Sequence, residues 1–500
     1  MNILGIGSWS TSLAAEPPTQ HYPVNRDVRL LVRIGIPATF IGIGFCFTVL
    51  APLPTAPIQL AIVGGVGVAI LPWVIGAFGE FDIFSPIYAY SVGFFALFVL
   101  RPTVMYAFAN YTPSWLGYDI SQTYSQAMFV AILGTLAIYA GFYLGPSPRR
   151  GALRLPLRLS TTRLAVGTIA LLMFSAVVYA YFIISNGGVA TLALFFSGRS
   201  GSVTALLQSS SGYLYTAPLW LTSAGILLLA VARSWYSLSG LFGVLLIFSS
   251  QLIPLSFGDR SWFLPALMAV AVVYYLRRSR RPGLPIIALL MPVVFILGIT
   301  VPREYRDISV RQNYTVADVI AATVNDLPTA AGDFITGLDT AMLDDLAVEI
   351  SVVPQDIDYQ HGMTYVEALA RPVPRAAWPA KPVAAETTLM DALWPSLSNA
   401  TQFTFSLFGE PFFDGGALGV AIFGFLFGGF WRYLWLALRD QFNNPIAMAL
   451  YGVSLPFMVI YLRGGVGLDY QREVIFTAPI VVLVIFAAVR QRVESRDGSA

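Results

Sequence analysis

The sequence has 500 residues, of which 56% are hydrophobic and 11% are charged. Soluble domains carry about 25% charged residues, so this composition excludes an ordinary soluble protein and predicts a polytopic membrane protein. The formal net charge is only +2, and because the arginines form short separate clusters, we expect no nucleic-acid partner. The single cysteine, Cys46, excludes an intrachain disulfide and a thiolate metal site.

Long apolar segments make up most of the chain. Residues 1–25 are polar and lack the basic segment and apolar run of a signal peptide. A helix needs about 20 apolar residues to cross a bilayer. The sequence therefore predicts an all-α polytopic membrane protein with about twelve transmembrane helices, near residues 31–51, 58–78, 84–100, 125–145, 164–186, 213–232, 237–255, 261–276, 284–301, 415–435, 445–462 and 473–489. Within one of them, the Gly-x-x-x-Gly spacing of Gly424 and Gly428 predicts close helix packing.

Arginine clusters predict the orientation of these helices, because basic residues in short loops stay on the cytoplasmic side. The loops around 149–163 and 277–281 are rich in arginine and are expected inside, which places both termini in the cytoplasm. The expected segments are a cytoplasmic tail at 1–28, a bundle of about nine helices at 29–301, an external loop domain at 302–414, about three helices at 415–490 and a cytoplasmic tail at 491–500.

The external interval 302–414 is the one long polar stretch of the chain. Helical periodicity over 318–325 and about 330–350 predicts two or three helices over the membrane face, the second with one side formed by Phe334, Leu338, Met342 and Leu346. The acidic residues of this helix lack the spacing of a calcium loop, and no histidine is near them. We therefore expect a solvated helix face and no metal site at Asp339, Asp344, Asp345 and Glu349.

Several basic residues break the positive-inside pattern and are expected on the external side. Each one taken alone can be explained by an arginine that snorkels to lipid phosphates. Together they predict a basic rim around one external cavity that could bind an anion. Prolines between 372 and 382 hold the backbone extended and fix the direction of two of the side chains. The set is Arg260, Arg303, Arg306, Arg311, Arg371, Arg375, Lys381, Arg463 and Arg472.

Two titratable side chains near this rim are candidates for acid–base chemistry. Glu410 lies among aromatic residues at the expected membrane boundary. A carboxylate is costly there unless it is paired, so Glu410 is either an ion-pair partner or a catalytic base. His361 begins a His-Gly-Met-Thr turn that caps a helix, and it is either a turn residue or a base. Asp469 and Arg472 are spaced to pair with one another.

The order of short motifs in the second half of the chain resembles one family. The motifs are Gly-x-Arg at the start of a span, Gly-Met-Thr-Tyr, Pro-Arg-x-x-Trp-Pro-x-Lys-Pro at 374–382, Phe-Gly-Glu-Pro-Phe-x-x-Gly-Gly at 408–416, and Leu-Arg-Gly-Gly at 462–465. This order is similar to that of Wzy-type oligosaccharide repeat-unit polymerases, which are related to the O-antigen ligases and to the GT-C class of membrane glycosyltransferases. The resemblance covers about 250–470, and the first half matches in topology only.

The resemblance implies a reaction and a set of roles. Such enzymes transfer a glycan from a polyprenyl pyrophosphate to a second lipid-linked repeat unit on the external leaflet of the bacterial cytoplasmic membrane, without a metal or other cofactor, and a chain-length regulator is a further partner to consider. Arginines would stabilise the leaving pyrophosphate. The expected pyrophosphate ligands are Arg260, Arg303, Arg306, Arg375 and Arg463, assisted by Lys381. Glu410 is the first candidate for the acceptor base and His361 the second. Weaker candidates for contact with glycan or prenyl chain are Trp378, Phe412 and Phe413.

Two other functions fit parts of the sequence. An O-antigen-type ligase would use the same donor and a different acceptor. A flippase or transporter for a lipid-linked glycan would perform no chemistry, and it would be expected to show internal repeats and charges near the middle of its spans. Here no repeat is evident and the unusual charges gather on one face, which favours the polymerase.

Overall fold

The structure is a computed structural model of the chain. It describes residues 56–79, 81–108, 114–149, 153, 155–156, 158–196, 206, 212–256, 259–283, 285–287, 316–370, 373, 378, 380–382, 385–395 and 404–489. Within these residues the fold is helical, apart from a two-stranded antiparallel hairpin of β1 (Ser114–Trp115) and β2 (Tyr118–Asp119). The predicted all-α class is therefore confirmed in its main feature.

The helices up to residue 277 form most of the bundle. They are α1 (Ala56–Phe78), α2 (Pro86–Phe94, continued through a π-helical stretch Phe95–Val99 into Leu100–Phe108), α3 (Tyr124–Leu144), α4 (Thr161–Ser185), α5 (Val189–Phe196), a 3₁₀ helix (Gly212–Leu219), α6 (Trp220–Val231), α7 (Leu238–Ser256) and α8 (Arg260–Arg277).

The polar interval and the last part of the chain contain the remaining helices. They are α9 (Val316–Asn325), α10 (Leu327–Thr336), a 3₁₀ turn (Leu338–Thr340), α11 (Met342–Val352), α12 (Met363–Ala370), α13 (Ala385–Leu393), α14 (Gly409–Arg439), α15 (Pro445–Ser454) and α16 (Phe457–Ala487). The interval thus has five helices among the residues described, more than the two or three predicted.

Eight helices of the described chain are long and apolar enough to cross a membrane, and a ninth results if the bent pair α15 and the first part of α16 counts as one span. They are Ile58–Phe78, Pro86–Ala107, Tyr124–Leu144, Thr161–Ser185, Leu214–Val231, Leu238–Ser256, Gly409–Arg439 and Asp469–Ala487, with Ser261–Arg277 as a shorter apolar helix. The predicted span near 31–51, and nearly all of that near 284–301, lie outside the described residues. The predicted count of about twelve is not confirmed.

Glycines let α3 and α14 pack side by side. A Cβ added to Gly428 would lie 2.0 Å from the carbonyl oxygen of Ile138, and one added to Gly141 would lie 2.0 Å from the carbonyl oxygen of Phe425. Further along, the Arg432 guanidinium donates to the Phe142 carbonyl at 2.7 Å. Residue numbers rise together along both helices, so α3 and α14 run parallel. The close packing predicted from Gly424 and Gly428 is confirmed.

Polar contacts between helices that are distant in the sequence define two ends of the bundle. At one end, which we call the arginine-rich end, Arg281 pairs with Asp82 at 2.5 Å and Arg277 donates to the Leu229 carbonyl at 2.6 Å. The loop after α3 and the end of α16 meet at this same end, where the amide of Ser160 donates to the Ala487 carbonyl at 2.8 Å. The start of α3, the start of α14 and helix α11 lie at the opposite end, which we call the acidic end.

Helix α16 folds back on itself at the acidic end. The rings of Phe457 and Phe476 lie 5.8 Å apart, whereas 19 residues of straight helix would separate them by about 28 Å. The Tyr461 hydroxyl likewise donates to the Glu473 carboxylate. The reversal is centred on Gly465, whose backbone has φ +74° and ψ 176°, a conformation that glycine adopts without steric cost. The motif at 462–465 therefore forms the tip of a helical hairpin.

Candidate functional site

The acidic end contains a cluster of buried carboxylates on and around α11. Asp344 and Glu349 are 0% and 1% exposed, and Asp345 and Asp339 are also buried. The prediction that these four residues form a solvated helix face is therefore wrong. The periodicity showed a helix but could not show that its polar side has partners, since α11 packs between the membrane helices with both of its sides covered. No group of metal-ligating residues occurs within the described parts of the chain.

Arg101 supplies a positive charge to this cluster of buried carboxylates. Its Nε donates to Asp344 Oδ2 at 2.9 Å, and its Nη1 donates to the Gly337 carbonyl at 3.0 Å. The guanidinium also lies 5.2 Å from the Trp115 ring. Since Arg101 extends from the end of the membrane helix α2, this buried pair fixes the polar interval onto the bundle. Arg101 was not among the predicted site residues, because one arginine at the end of a span is indistinguishable in sequence from a lipid anchor.

Asp345 and Glu349 are buried carboxylates whose pKa values are raised. Trp115 Nε1 donates to Asp345 Oδ1 at 2.7 Å, yet burial raises the pKa of Asp345 to about 8. Glu349 Oε1 has no hydrogen-bond partner, and burial, followed by the charges of Asp345, Glu410 and Asp414, raises the pKa of Glu349 well above its ordinary value. Asp345 is therefore expected to hold a proton near neutral pH.

Arg463 lies at the tip of the helical hairpin in α16. Its Nη2 donates to Asp339 Oδ1 at 3.2 Å, and 42% of its side chain is exposed. Its Nε is buried and has no hydrogen-bond partner. The guanidinium is thus fixed by one carboxylate and keeps an accessible face, which is an arrangement suited to binding a second anion. This is the predicted anion-binding residue whose surroundings the structure describes most fully.

Glu410 binds backbone amides in the first turn of the returning half of α16. Its Oε2 accepts from the amide of Val466 at 2.7 Å, and its Oε1 accepts from the amide of Gly467 at 2.8 Å. A Cβ on Gly465 would lie 2.6 Å from Glu410 Cδ. The carboxylate thus satisfies backbone donors that the break in the helix leaves without helical partners. Its predicted role as acceptor base stays a prediction, and the contacts show that it also holds the hairpin tip that carries Arg463.

His361 lies on a turn that is bound to the start of α14. Asp414 Oδ1 accepts from the amide of Gly362 at 2.8 Å, and Asp414 Oδ2 accepts from the Thr364 hydroxyl. The amide of His361 donates to the Asp414 carbonyl at 3.1 Å. His361 is exposed and has φ +51°, a left-handed conformation that is uncommon outside glycine. The predicted turn and the helix after it are confirmed, whereas the groups at the start of that helix are bound by Asp414, which the sequence did not identify.

The other predicted site residues are placed only in part. Lys381 Nζ donates to the Val373 carbonyl at 3.3 Å, and Trp378 is exposed. The backbone of Arg260 begins α8, as predicted, directly after Asp259, which caps the helix by accepting from the amide of Ser261 at 3.1 Å. Nothing further is described of its side chain. Three predicted pyrophosphate ligands lie outside the described residues: Arg303, Arg306 and Arg375.

The two predicted aromatic contacts on α14 belong to the core. Phe413 is fully buried and its ring stacks 5.4 Å from that of Phe405, and Phe412 is also buried. Neither ring is accessible to a glycan in this conformation. The predicted pairing of Asp469 with Arg472 is confirmed, with a distance of 2.5 Å between Oδ1 and Nη1. Arg472 also lies 5.6 Å from the Trp262 ring, so this pair holds the returning half of α16 against α8.

These observations define the class of the protein as an all-α polytopic membrane protein with a polar helical layer at one end, where buried carboxylates and arginines meet. The family comparison then gives the particular family, because the model for "O-antigen polysaccharide polymerase Wzy" matches residues 38–492. The chain belongs to this family. Comparisons with the curated proteins and with the solved structures gave no significant match.

Proposed function

We propose that the protein joins polyprenyl-pyrophosphate-linked oligosaccharide repeat units on the outer leaflet of a bacterial inner membrane. The family supports a polysaccharide polymerase in a membrane. The observation that carries the finer proposal is Arg463, whose guanidinium is partly exposed at the tip of a hairpin while Asp339 holds it in place. A pyrophosphate needs this kind of donor when its bond to the sugar breaks.

The reaction is a single displacement at the anomeric carbon of the donor. The acceptor hydroxyl oxygen forms the new bond, the bond to the pyrophosphate oxygen breaks, and polyprenyl pyrophosphate leaves with the electron pair. Arg463 stabilises the developing charge, with Lys381, Arg260, Arg303, Arg306 and Arg375 as the proposed further ligands. The hydroxyl proton passes to a base, for which Glu410 and His361 are the candidates, and a single displacement inverts the anomeric centre.

The two candidate bases have different surroundings. Glu410 is buried and bound by two backbone amides, whereas His361 is exposed on its turn. A Glu410→Gln substitution would direct an amide donor at the Val466 or Gly467 N–H, so it removes both a base and the hairpin contact. A His361→Ala substitution removes only a base. Loss of the chemical step in His361→Ala, with substrate binding retained, would assign the base to His361.

The orientation proposed is that the acidic end faces outward. The ten described arginines at or near the other end of the bundle support it, because basic residues are retained on the cytoplasmic side. They are Arg149, Arg158, Arg163, Arg233, Arg277, Arg278, Arg280, Arg281, Arg432 and Arg439. Both termini would then be cytoplasmic, and the helices α9–α13 would form the external domain.

The deciding experiment uses the purified protein in lipid nanodiscs with a lipid-linked repeat unit. We expect the wild type to join units, and we expect Arg463→Ala to lose at least a hundredfold in rate. The control is Arg439→Ala at the opposite end, where a 38% exposed arginine pairs with the exposed Asp440. Transfer to an acceptor other than a second repeat unit would identify a ligase, and movement of the lipid across liposomes without joining would identify a flippase.

A further inference from the structure

A polar cleft lies at the acidic end, apart from Arg463 and the hairpin tip that carries it. It is formed by the start of α3 and the end of α11 and has a volume of about 390 Å³, within the range of about 300–1,000 Å³ typical of small-molecule sites. Its one apolar lining residue is Ile350. The polar lining residues are Asp119, Gln122, Thr123, Gln126, Ser351 and Gln355.

The hydrogen bonds of these residues show which groups are available to a ligand. The Thr123 hydroxyl donates to the Ala347 carbonyl at 2.8 Å, and the Ser351 hydroxyl donates within its own helix. In contrast, the amide groups of Gln122, Gln126 and Gln355 form no side-chain hydrogen bond among the residues described. Each amide offers two donors and one acceptor oxygen. Three such groups facing one cleft match a ligand that carries adjacent hydroxyl groups.

The charge of the cleft narrows the class of ligand. Asp119 Oδ1 accepts from the amide of Ser121 at 2.9 Å, and this bond lowers the pKa of Asp119, which is therefore ionised. No lysine or arginine lines the cleft, so a phosphate is a poor match. A divalent cation would find only one carboxylate, fewer than such ions usually take from a protein. A neutral polyhydroxylated molecule, namely a saccharide, fits both the amides and the single acceptor charge.

The cleft lies on the same helix, α11, as the contacts that lead to the hairpin tip with Arg463. Ile350 and Glu349 are neighbours on α11, and the Glu349 carboxylate lies next to the start of α14, with Oε2 2.6 Å from where a Cβ on Gly409 would be. The cleft and the hairpin tip thus flank the same short helix.

We propose that this cleft is a saccharide-binding subsite that holds sugar residues of the glycan during extension, at a distance from the pyrophosphate. This inference rests on the proposed function for the source of the sugar. Its consequence is a division of roles, in which the arginines serve the bond that breaks and the glutamine cleft retains the chain between successive additions. Loss of the cleft is therefore expected to shorten the polymer and leave the first joining step intact.

The test measures binding and chain length separately. The probes are oligosaccharides of one, two and three repeats, released by mild acid from the host's lipid-linked glycan, and binding to the protein in nanodiscs is followed by saturation-transfer NMR. We expect the triple variant Gln122→Ala, Gln126→Ala, Gln355→Ala to bind them at least tenfold more weakly, to join two repeat units at the wild-type rate, and to yield polymers of less than half the wild-type length. The control Asn325→Ala replaces an exposed amide outside the cleft.

The outcomes separate this inference from the proposed function. Arg463→Ala is expected to lose joining but keep oligosaccharide binding, so binding remains informative even if the protein catalyses no joining. Unchanged binding and unchanged polymer length in the triple variant would overturn the subsite. Binding of calcium ions from calcium chloride, with no binding of the oligosaccharides, would also overturn the subsite. If the triple variant does not elute as a folded protein, Gln355→Ala alone, on a turn, is expected to show the same binding defect in smaller degree.

Discussion

The buried pair of Arg101 and Asp344 allows a quantitative test of how the polar interval is attached. Their side chains are 2% and 0% exposed, and Arg101 also binds the Gly337 carbonyl. Removing one partner of a buried pair leaves an uncompensated charge, which costs about 3–5 kcal/mol, whereas replacing both by apolar residues is often neutral or stabilising by about 1–4 kcal/mol. We therefore expect Arg101→Met to be strongly destabilised and Arg101→Met with Asp344→Leu to recover much of the loss.

The assay is the fraction of protein that remains monodisperse after heating in detergent, followed by size-exclusion chromatography. Limited trypsin digestion adds a local measurement. In Arg101→Met, cleavage is expected at arginines of the polar interval 302–414, because helices α10 and α11 are no longer held to α2. Digestion of the double variant is expected to resemble that of the wild type. If Arg101→Met alone were as stable as the wild type, the pair would not anchor the interval and the reasoning would fail.

Three further predictions follow from other features. Because the folded-state pKa of Asp345 is raised from the ordinary value of 3.8 to about 8, the stability that its proton contributes is complete below the ordinary value and is lost as the pH rises towards 8. The thermal midpoint should therefore fall between about pH 4 and pH 8, and Asp345→Asn should reduce that fall. Gly428→Leu should prevent folding, since a Cβ there would lie 2.0 Å from the carbonyl oxygen of Ile138. Gly415→Ala should be tolerated, because nothing lies within 4 Å of a Cβ at that position. Expression level and elution profile measure the effect of each substitution. In a cysteine-free background, Ser121→Cys should react with an impermeant maleimide added to intact cells or spheroplasts, and Ser147→Cys only after permeabilisation.

Each of these has a result that contradicts it. An unchanged pH dependence in Asp345→Asn would mean that the carboxyl is not the titrating group. Equal expression of Gly428→Leu and Gly415→Ala would refute the close contact of α3 and α14. Labelling of Ser147→Cys in intact cells would reverse the proposed orientation.

The spans were predictable because apolar length is a local property of the sequence. The described spans agree with the predicted ones to within a few residues at most ends, and the short helix capped by His361 to Thr364 also lies where it was expected. Breaks in the helices were harder to predict. The helix expected over 330–350 is interrupted at Gly337, so Leu338 is 65% exposed while Met342 is buried. Four-residue spacing cannot reveal such a break, since it depends on the partner that binds the freed carbonyl, here Arg101.

Part of the candidate site was predictable from the short motifs in the second half of the sequence. Arg463 and Glu410 were named as candidates from their motifs, and the structure brings them near each other, with Arg463 at the hairpin tip and Glu410 bound to the amide of Val466; their roles stay predictions. Burial of the carboxylates on α11 was not predictable, because it follows from Arg101, more than 200 residues away in the chain. The sequence shows an acidic helix with apolar residues on its other faces, and such a helix can be either solvated or enclosed. Only the tertiary contacts decide between these.

The contact between Glu410 and the break in α16 has a consequence for biogenesis. The chain is synthesised from its N-terminus, so α14 enters the membrane before the hairpin that follows it by about 50 residues. A break in a helix leaves amide groups that lipid cannot satisfy. When residues 464–467 emerge, the carboxylate that binds the amides of Val466 and Gly467 is already in place. Glu410 is thus synthesised before the two amides that it binds, and a chain truncated before α16 would leave this buried carboxylate without these two donors.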